Sequence, residues 1–547
     1  MERSPARLNL EHLKKQAKDL IRRYRQRDND ALARFREHLP AAHGRGDDEI
    51  VELDLRLHDA QSCIARERGF ASWPDLRRYI EAQLAVRNAG AEHARHWLEL
   101  VYAGDISGTT NRANPRIALR MLAERPELAA GSAYLACAIG DEAALRQATA
   151  DDAGWIHRPG GPLRLLPLVA VSHSSLLRVP EFRAQLHRCA RLLLEAGADP
   201  NQHVSGRWPP GSLREPDDRH QLSALYGAAG QNHDRELTQL LLEAGADPND
   251  GESLYHSLET FTCTSLLLEH GARVAGGNEI YHALDFENPD AVELLLRHGG
   301  DPNEPARNAP LDEWGSPLLW AIRRRRSRRC IELLLDAGAD PRAVTPNGVS
   351  AYRLALQSGL EDIAGLLRIR TSPEMLSIEE AFVAACARGD AAEARRIQAT
   401  RPDLPGALAG HHLRLLPDLV AEGADSGARL MVELGWPIAT RGGDWDASAL
   451  NHAVFRGNAG LTRFLLEHGA SWTEQHGFGD NACGSLSWAS CNEPVEGGDW
   501  AGCAQALLDH GLPPAEPDRD EPDWLLIDGR RKLFSDEVSE VLLGHTA

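Results

Sequence analysis

Tyrosine and histidine side chains recur at two adjacent positions of several similar segments. Tyr226, Tyr255 and Tyr281 hold the first position, and His256 and His282 directly follow two of them. With neighbouring carboxylate and arginine residues they form a candidate ligand- or partner-binding column: Tyr226, Tyr255, His256, Glu259, Tyr281, His282, Asp285, Trp320, Arg323 and Arg324. Phenol, imidazole and carboxylate groups can hydrogen-bond a ligand or exchange protons with it. The alternative is structural, with the tyrosines satisfying backbone groups near a turn.

A dense basic cluster lies in the same region, comprising Arg323–Arg326, Arg328 and Arg329. Guanidinium groups bind phosphate or carboxylate, so the cluster could hold an anionic partner. The alternative is a solvated turn whose arginines pair locally with Glu332, Asp312 or Glu313.

Other chemistries have little support. His476, Cys483, Cys491 and Cys503 share a segment, but their spacing matches no common zinc site. The chain has no Gly-x-Ser-x-Gly elbow, His-Glu-x-x-His pair, phosphate loop or dinucleotide fingerprint. We therefore expect no metal, no cofactor and no catalytic residues, and an enzyme is the less favoured reading.

A repeated phrase must position the column. Leu-Leu-Leu-Glu-Ala-Gly-Ala-Asp-Pro-Asn occurs at Leu192–Asn201 and again at Leu240–Asn249, with degenerate copies further along. The leucines give a helix its buried stripe, and Gly197 or Gly245 can take the positive φ that ends it. Asp-Pro-Asn then favours a turn. Such a helical unit cannot bury its apolar face alone, so the repeats predict a stack.

The phrase and its upstream partner resemble the ankyrin repeat. The family's Thr-Pro-Leu-His-x-Ala signature is matched best by Ser316–Ala321, Ser-Pro-Leu-Leu-Trp-Ala. The spacing from Gly245 to Gly271 is short of the family's roughly 33 residues, as is that from Gly271 to Gly299. The resemblance implies an all-α, ankyrin-type helical solenoid in two arrays, with short or missing β-hairpin fingers. It also implies that partners meet a concave surface formed by the fingers and the ends of the first helices.

Three regions are expected. Residues 1–88 form a basic helical module resembling one that precedes ankyrin arrays in bacterial proteins, residues 89–370 a first array, and residues 371–547 a second array with a C-terminal cap. The module's first helix should bury an apolar face whose members have helical spacing: Leu8, Leu13, Ala17, Leu20, Ile21 and Tyr24.

Composition narrows the function. A net charge of −20 argues against a general nucleic-acid or anionic-membrane surface. The N-terminus lacks a signal-peptide pattern, there is no 18-residue apolar run, and scattered cysteines suit reduced thiols, so a cytoplasmic protein is expected.

The sequence favours an adaptor that binds a protein partner through the solenoid's concave surface. A small-molecule-binding or catalytic protein remains an alternative, with its site in the tyrosine column or the cleft between arrays. An inhibitor or immunity protein is the third possibility.

Overall fold

The structure, a computed structural model, describes residues 9–53, 55–88, 92–110, 112–208, 211–306, 315–371, 374–518 and 524–544. Its contacts divide the chain into two compact units, Met1–Arg273 (unit 1) and Val274–Ala547 (unit 2). This division falls within the region predicted as the first array. The predicted boundary at residue 370 stays a prediction.

Unit 1 is mostly helical. Its α-helices are α1 (Leu10–Arg25), α2 (Asn29–His38), α3 (Asp47–Val51), α4 (Leu57–Glu67), α5 (Trp73–Asn88), α6 (His93–Val101), α7 (Gly104–Ser107), α8 (Pro115–Glu124), α9 (Ala133–Ile139), α10 (Glu142–Asp151), α11 (Pro167–Ser172), α12 (Pro180–Glu195), α13 (Ala224–Tyr226), α14 (Arg235–Glu243), α15 (Ser253–Ser257) and α16 (Thr264–Glu269). The antiparallel strands β1 (His203–Gly206) and β2 (Asp217–Ser223) form a hairpin finger before α13.

Helices α2 and α4 pack against α1, whose apolar face was predicted from the sequence. The residues of α1 that are buried are Leu13, Ala17, Leu20, Ile21 and Tyr24. Leu8, the first member of the predicted face, lies outside the described residues. Asn9 caps the helix by accepting a hydrogen bond from the His12 amide. The helical spacing read from the sequence is therefore confirmed for α1.

The repeats of unit 1 stack as helix pairs. The first helices α9, α11, α13 and α15 pack in series, and so do the second helices α10, α12, α14 and α16. Gly197 and Gly245 have φ angles of 96° and 97°, which confirms the predicted ends of α12 and α14. Asn201 then reaches the next repeat, donating to the Gly245 carbonyl at 3.3 Å and accepting from the Asp247 amide at 2.8 Å. The last residue of the phrase thus links successive turns.

Unit 2 is also mostly helical. Its α-helices are α17 (Glu279–Asp285), α18 (Pro289–Arg297), α19 (Pro317–Arg323), α20 (Arg328–Asp336), α21 (Ala351–Gln357), α22 (Glu361–Arg370), α23 (Ile378–Ala387), α24 (Ala391–Thr400), α25 (Gly410–Leu413), α26 (Leu415–Ala421), α27 (Asp425–Glu433), α28 (Ala449–Phe455), α29 (Ala459–Glu467), α30 (Ala482–Asn492), α31 (Trp500–Asp509) and α32 (Asp536–Leu542). Strands β3 (Arg441–Gly442) and β4 (Ala447–Ser448) form a second finger. A small sheet of β5 (Glu516–Pro517), β6 (Trp524–Ile527) and β7 (Arg530–Leu533) packs near the C-terminus.

Stacking continues through unit 2. The first helices α17, α19, α21 and α23 pack in series, as do α26, α28 and α30 further along. Helix α32 packs on α31 and β7 on α30, so the predicted C-terminal cap contains a sheet as well as a helix. Asn303 repeats the link made by Asn201, donating to the Gly338 carbonyl at 2.9 Å. The predicted all-α class with stacked helix pairs is confirmed.

The short repeats lack fingers, as predicted. The described residues 246–252 and 272–278 contain no β-strand between one helix pair and the next. Across the described ranges of the chain, no helix is both long and apolar enough to cross a lipid bilayer.

Candidate functional site

In unit 1, Tyr226 is the buried member of the tyrosine column, while Tyr255 and His256 are half-buried and Glu259 is exposed. Tyr226 is buried, and its ring lies against that of His256 with centroids 5.3 Å apart. Its hydroxyl donates to Asp105 Oδ2 at 3.3 Å, and the same oxygen accepts from Gln231 Nε2 at 2.6 Å. Tyr255 is half-buried and packs edge-on against His256, with centroids 5.2 Å apart. The Tyr226 hydroxyl therefore has a partner inside unit 1.

His256 lies between two carboxylates. Its Nδ1 lies 2.9 Å from Glu259 Oε1, and its Nε2 lies 3.3 Å from Glu252 Oε2. Burial disfavours the charged ring, but hydrogen bonds and attraction from both carboxylates outweigh burial and raise the pKa of His256 to about 9. His256 is therefore an imidazolium held between two carboxylates at neutral pH.

The members of the column in unit 2 pack against one another and the backbone. The buried Tyr281 hydroxyl donates to the Glu304 carbonyl at 2.8 Å, and its ring centroid is 6.4 Å from that of the buried Trp320. The His282 ring packs edge-on against Phe286, with centroids 4.8 Å apart. The Tyr281 hydroxyl thus satisfies a backbone carbonyl, which was the structural alternative for these tyrosines.

The basic cluster forms an ion network inside unit 2. We call this set the arginine network: Arg323, Arg324, Arg326, Asp285, Glu287, Asp418, Glu422 and Asp444. Arg324 lies 3.2 Å from a carboxylate oxygen of Asp285, 2.9 Å from one of Glu422 and 2.9 Å from one of Asp444. Its guanidinium also lies over the Trp320 ring, 4.6 Å from the centroid.

The network differs from the solvated turn considered for this cluster. Arg323 is buried and lies 2.8 Å from Asp444 Oδ1, and Arg326 lies 3.3 Å from Glu422 Oε2. These carboxylates are about a hundred residues away in the sequence, and they pair with arginines of the turn and leave it only partly exposed. Arg328 does pair locally with Glu332, at 2.7 Å.

Asp312 and Glu313, the other local partners considered, lie outside the described residues. Burial raises the pKa of the Asp285 carboxyl despite the nearby Arg324 guanidinium. Burial likewise raises the pKa of Asp418. Asp285 and Asp418 are therefore poorly solvated, and the arginines of the network stabilise their negative charge.

A polar recess of about 520 Å³ lies beside the network. Its lining includes Thr345, Gln357, His411, His412, Arg414 and Asp418. These residues come from both sides of residue 370, where the sequence analysis placed a cleft between arrays. The Nδ1 atom of His412 is buried and has no hydrogen-bond partner among the described residues. Burial, and to a lesser extent the neighbouring His411, lowers the pKa of His412 to about 4.

An aromatic recess of about 680 Å³ lies on the finger side of the later repeats in unit 2. It is lined by Asp444, Trp445, Phe455, His476, Phe478, Asp480, Gly484, Ser485 and Trp488. Phe455 and Trp488 stack with centroids 5.4 Å apart and ring planes 10° apart. Trp445 is tilted 48° to Phe455 at 5.6 Å, so the rings form two walls. Phe478 is 82% exposed and Trp488 52% exposed, which leaves apolar surface in contact with water.

The β3–β4 finger and the loop of the next repeat place these rings. Trp445 lies in the turn between β3 and β4, while Phe455 ends α28. The Gly477 amide donates to the Trp445 carbonyl at 3.0 Å, which joins this finger to the loop carrying Phe478. Asn481 then caps α30, accepting from the Cys483 amide at 3.1 Å. The recess is thus built from two adjacent repeats.

The carboxylates at the recess already have cationic partners. One oxygen of Asp444 lies 2.8 Å from Arg323 and the other lies 2.9 Å from Arg324. Asp480 pairs with Lys532 and lies 3.5 Å from Arg530. The recess therefore presents aromatic surface and little unbalanced negative charge.

The histidines near the recess are held neutral. Burial lowers the pKa of His476, which packs against Trp445 with centroids 5.0 Å apart. Burial also lowers the pKa of His452, on the other side of Trp445, to about 4. At neutral pH neither ring adds a positive charge to the walls.

The segment weighed for metal binding is dispersed. His476 borders the recess, Cys503 lies beside Thr462 with its sulfur 3.5 Å from the hydroxyl, and Cys491 is exposed. In the described parts of the chain, no three histidine, cysteine, aspartate or glutamate side chains are arranged to hold a metal ion.

Sequence reasoning found some of these residues and missed others. Phe455 is recognisable as the end of a first helix, but Trp445, Phe478 and Trp488 lie outside the repeated phrase and have no periodic signal. Comparing each helix middle and finger tip across repeats for unusual aromatic residues would have marked them.

Comparison with known proteins adds little. No protein-family model matches the chain, and no curated protein sequence matches it. Among solved structures, the human ASB11 ankyrin repeat domain is similar at 20% sequence identity, with a TM-score of 0.33. That match covers 45% of this chain and 100% of the human domain. The fold assignment therefore rests on the stacked helix pairs of the chain itself.

Proposed function

We propose that this chain is a binding protein that recognises a protein partner through the finger side of its repeats, with the aromatic recess as the main anchor. The observation that carries the proposal is the exposed aromatic pair Phe478 and Trp488 beside a recess of about 680 Å³. Aromatic residues are enriched, and charged residues depleted, at the centres of protein interfaces. A few such side chains usually supply most of the binding energy.

The predicted column contributes to this proposal in two ways. His256 is half-buried and Glu259 is exposed, and we propose them, with Tyr255 beside them, as a polar partner-binding surface of unit 1 by itself. Asp285, His282 and Arg324 have the corresponding role in unit 2. Tyr226, Tyr281, Trp320 and Arg323 are proposed as supports, because their burial keeps them from a partner.

The experiment is capture of partners from extracts of the source cells with the full chain, followed by measurement of affinity for each captured protein. Replacement of Trp488 by Ala is expected to weaken binding about 30-fold, the loss typical of a central aromatic anchor. Ile369→Ser is the matched control, because Ile369 is 82% exposed like Phe478 but lies in the last turn of α22, a second helix. Equal affinities for Trp488→Ala and Ile369→Ser would contradict the proposal.

The same experiment separates an adaptor from an inhibitor. Several partners of moderate affinity would favour the adaptor, while one tight stoichiometric partner would favour an inhibitor or immunity protein. A small-molecule site is the second candidate, and the buried His412 Nδ1 at the polar recess favours it. Native mass spectrometry of the protein from its source would detect a ligand retained there.

A further inference from the structure

Two indole groups at the aromatic recess have unused hydrogen-bond donors. The indole N–H groups of Trp320, Trp436 and Trp500 donate to oxygens of Asp285, Leu413 and Phe455, respectively. The indole N–H groups of Trp445 and Trp488 have no acceptor among the described residues of the chain. Both indoles line the recess and are accessible to solvent. An occupant of the recess can therefore receive hydrogen bonds from its walls.

The charge at the recess selects against a cationic occupant. Aromatic faces attract cations, but Asp444 at the recess is already paired with Arg323 and Arg324 and offers a cation no free carboxylate. Asp480 is likewise paired with Lys532. An anionic occupant would meet aromatic faces, which carry partial negative charge. An uncharged occupant fits the walls best.

The occupant must therefore offer apolar rings and carbonyl acceptors without charge. Proline provides both, since its ring is apolar and its backbone has a carbonyl but no N–H. A proline-rich segment forms a polyproline II helix with no internal hydrogen bonds, so its carbonyls are free to accept. The conformation is already extended before binding, which lowers the entropy cost of docking on an aromatic-lined groove.

We propose that the aromatic recess binds an uncharged, proline-rich segment of a partner protein in the polyproline II conformation. This inference rests on the proposed function, because it names the partner chemistry at the same recess. A proline ring packs in the angle that the Phe455–Trp488 wall makes with the tilted Trp445 ring. The indole N–H groups of Trp445 and Trp488 donate to carbonyl oxygens of the segment. Prolines three residues apart lie on one face, about 9 Å apart along the helix.

The test uses synthetic decapeptides and the full chain, with affinity measured by isothermal titration calorimetry. The probes are an acetylated and amidated oligoproline, a glycine-serine peptide of equal length and a peptide containing trimethyllysine. The oligoproline is expected to bind measurably, and the other two to bind at least ten times more weakly. Preference for the trimethyllysine peptide would overturn the proposal in favour of a cation site.

Two substitutions distinguish the contribution of ring contacts to oligoproline binding from that of the indole N–H donors. Trp488→Ala should weaken oligoproline binding by more than tenfold through loss of ring contact. Trp445→Phe keeps an aromatic ring but removes the N–H, and should weaken binding about three- to tenfold. Ile369→Ser should leave the affinity unchanged. Equal affinity for Trp445→Phe and the unaltered chain would overturn the part assigned to the indole donor.

Failure of this inference can be distinguished from failure of the proposed function. If captured partners depend on Trp488 but oligoproline does not bind, the proline assignment is wrong and the binding function stands. If neither captured partners nor oligoproline depend on Trp488, both are wrong. Phe478→Ser provides a further check of whether binding depends on the aromatic recess. A side chain that is 82% exposed can be replaced without disturbing the core.

Discussion

Replacement of Arg324 by Met should destabilise unit 2 by about 3 kcal/mol. Arg324 contacts carboxylates of Asp285, Glu422 and Asp444 at 3.2, 2.9 and 2.9 Å, and its side chain is 23% exposed. Removal of one partner from a fully buried ion pair costs about 3–5 kcal/mol, because the remaining charge stays unpaired in a poorly solvated site. The lower end applies here because water reaches Arg324.

The assay is differential scanning calorimetry of the full chain, with hydrogen exchange of the amides in α19 and α26. A loss of about 3 kcal/mol in a unit of this size should lower the melting temperature by about 6 °C. Exchange should become faster in both helices, because the network connects them. Arg328→Met is the control, since Arg328 is exposed and pairs with Glu332, four residues away.

Acidification gives the decisive result. Burial raises the pKa of Asp285, which Arg324 contacts, so protonation of this carboxyl group at lower pH removes part of the uncompensated charge that Arg324→Met creates. The difference in stability between variant and unaltered chain should therefore shrink as the pH falls below neutrality. If Arg324→Met destabilises no more than Arg328→Met, or if the difference grows on acidification, the electrostatic reasoning is refuted.

Three further substitutions test individual contacts. The pKa of folded His256, about 9, lies above its ordinary value, so the stabilisation is complete below about pH 6.5 and is lost as pH rises through 9. His256→Gln should therefore cost about 1–2 kcal/mol near pH 6, a value reduced for solvent screening, and almost nothing near pH 10 in urea unfolding. Tyr281→Phe should cost about 1–2 kcal/mol by removing the donor of a 2.8 Å hydrogen bond to a backbone carbonyl, measured as a lower melting temperature. Gly359→Ala should destabilise more than Gly338→Ala by urea unfolding, although both glycines have positive φ, because only at Gly359 would the added Cβ lie 2.8 Å from a backbone oxygen.

Each of these expectations has a clear contrary result. A pH-independent loss in His256→Gln would show that ring packing, and not the carboxylates, sets its contribution. An unchanged melting temperature in Tyr281→Phe would remove the structural role of the hydroxyl. Equal losses at Gly359 and Gly338 would mean that strain at positive φ outweighs the close approach of the neighbouring repeat.

The repeated phrase predicts the scaffold well because its residues act locally. The positive φ of Gly197 and Gly245 and the buried stripe of α1 follow from backbone sterics and helical spacing, which are properties of a few neighbouring residues. The link that Asn201 makes between repeats could not be predicted from the sequence, because its partners Gly245 and Asp247 belong to the next repeat. A turn residue and an inter-repeat link have the same sequence signal.

The candidate site was harder to predict because it depends on non-repeating residues. Glu422 and Asp444 meet Arg324 across about a hundred residues of sequence, and no local pattern identifies such a pair. Trp445 and Trp488 both contact Phe455, and this arrangement forms only after two repeats have stacked. In a repeat protein, the recurring residues identify the scaffold, while the residues that differ between repeats identify the binding surface.

The arginine network and the aromatic recess share Asp444, which gives a test that joins stability to binding. Arg323 and Arg324 hold both oxygens of Asp444, next to Trp445 in the finger turn. Loss of Arg324 should loosen this turn and weaken oligoproline binding, although Arg324 does not line the recess. We expect a smaller loss than for Trp488→Ala, with recovery at low temperature where the turn is better ordered. A loss equal to that of Trp488→Ala at every temperature would instead place Arg324 in direct contact with the occupant.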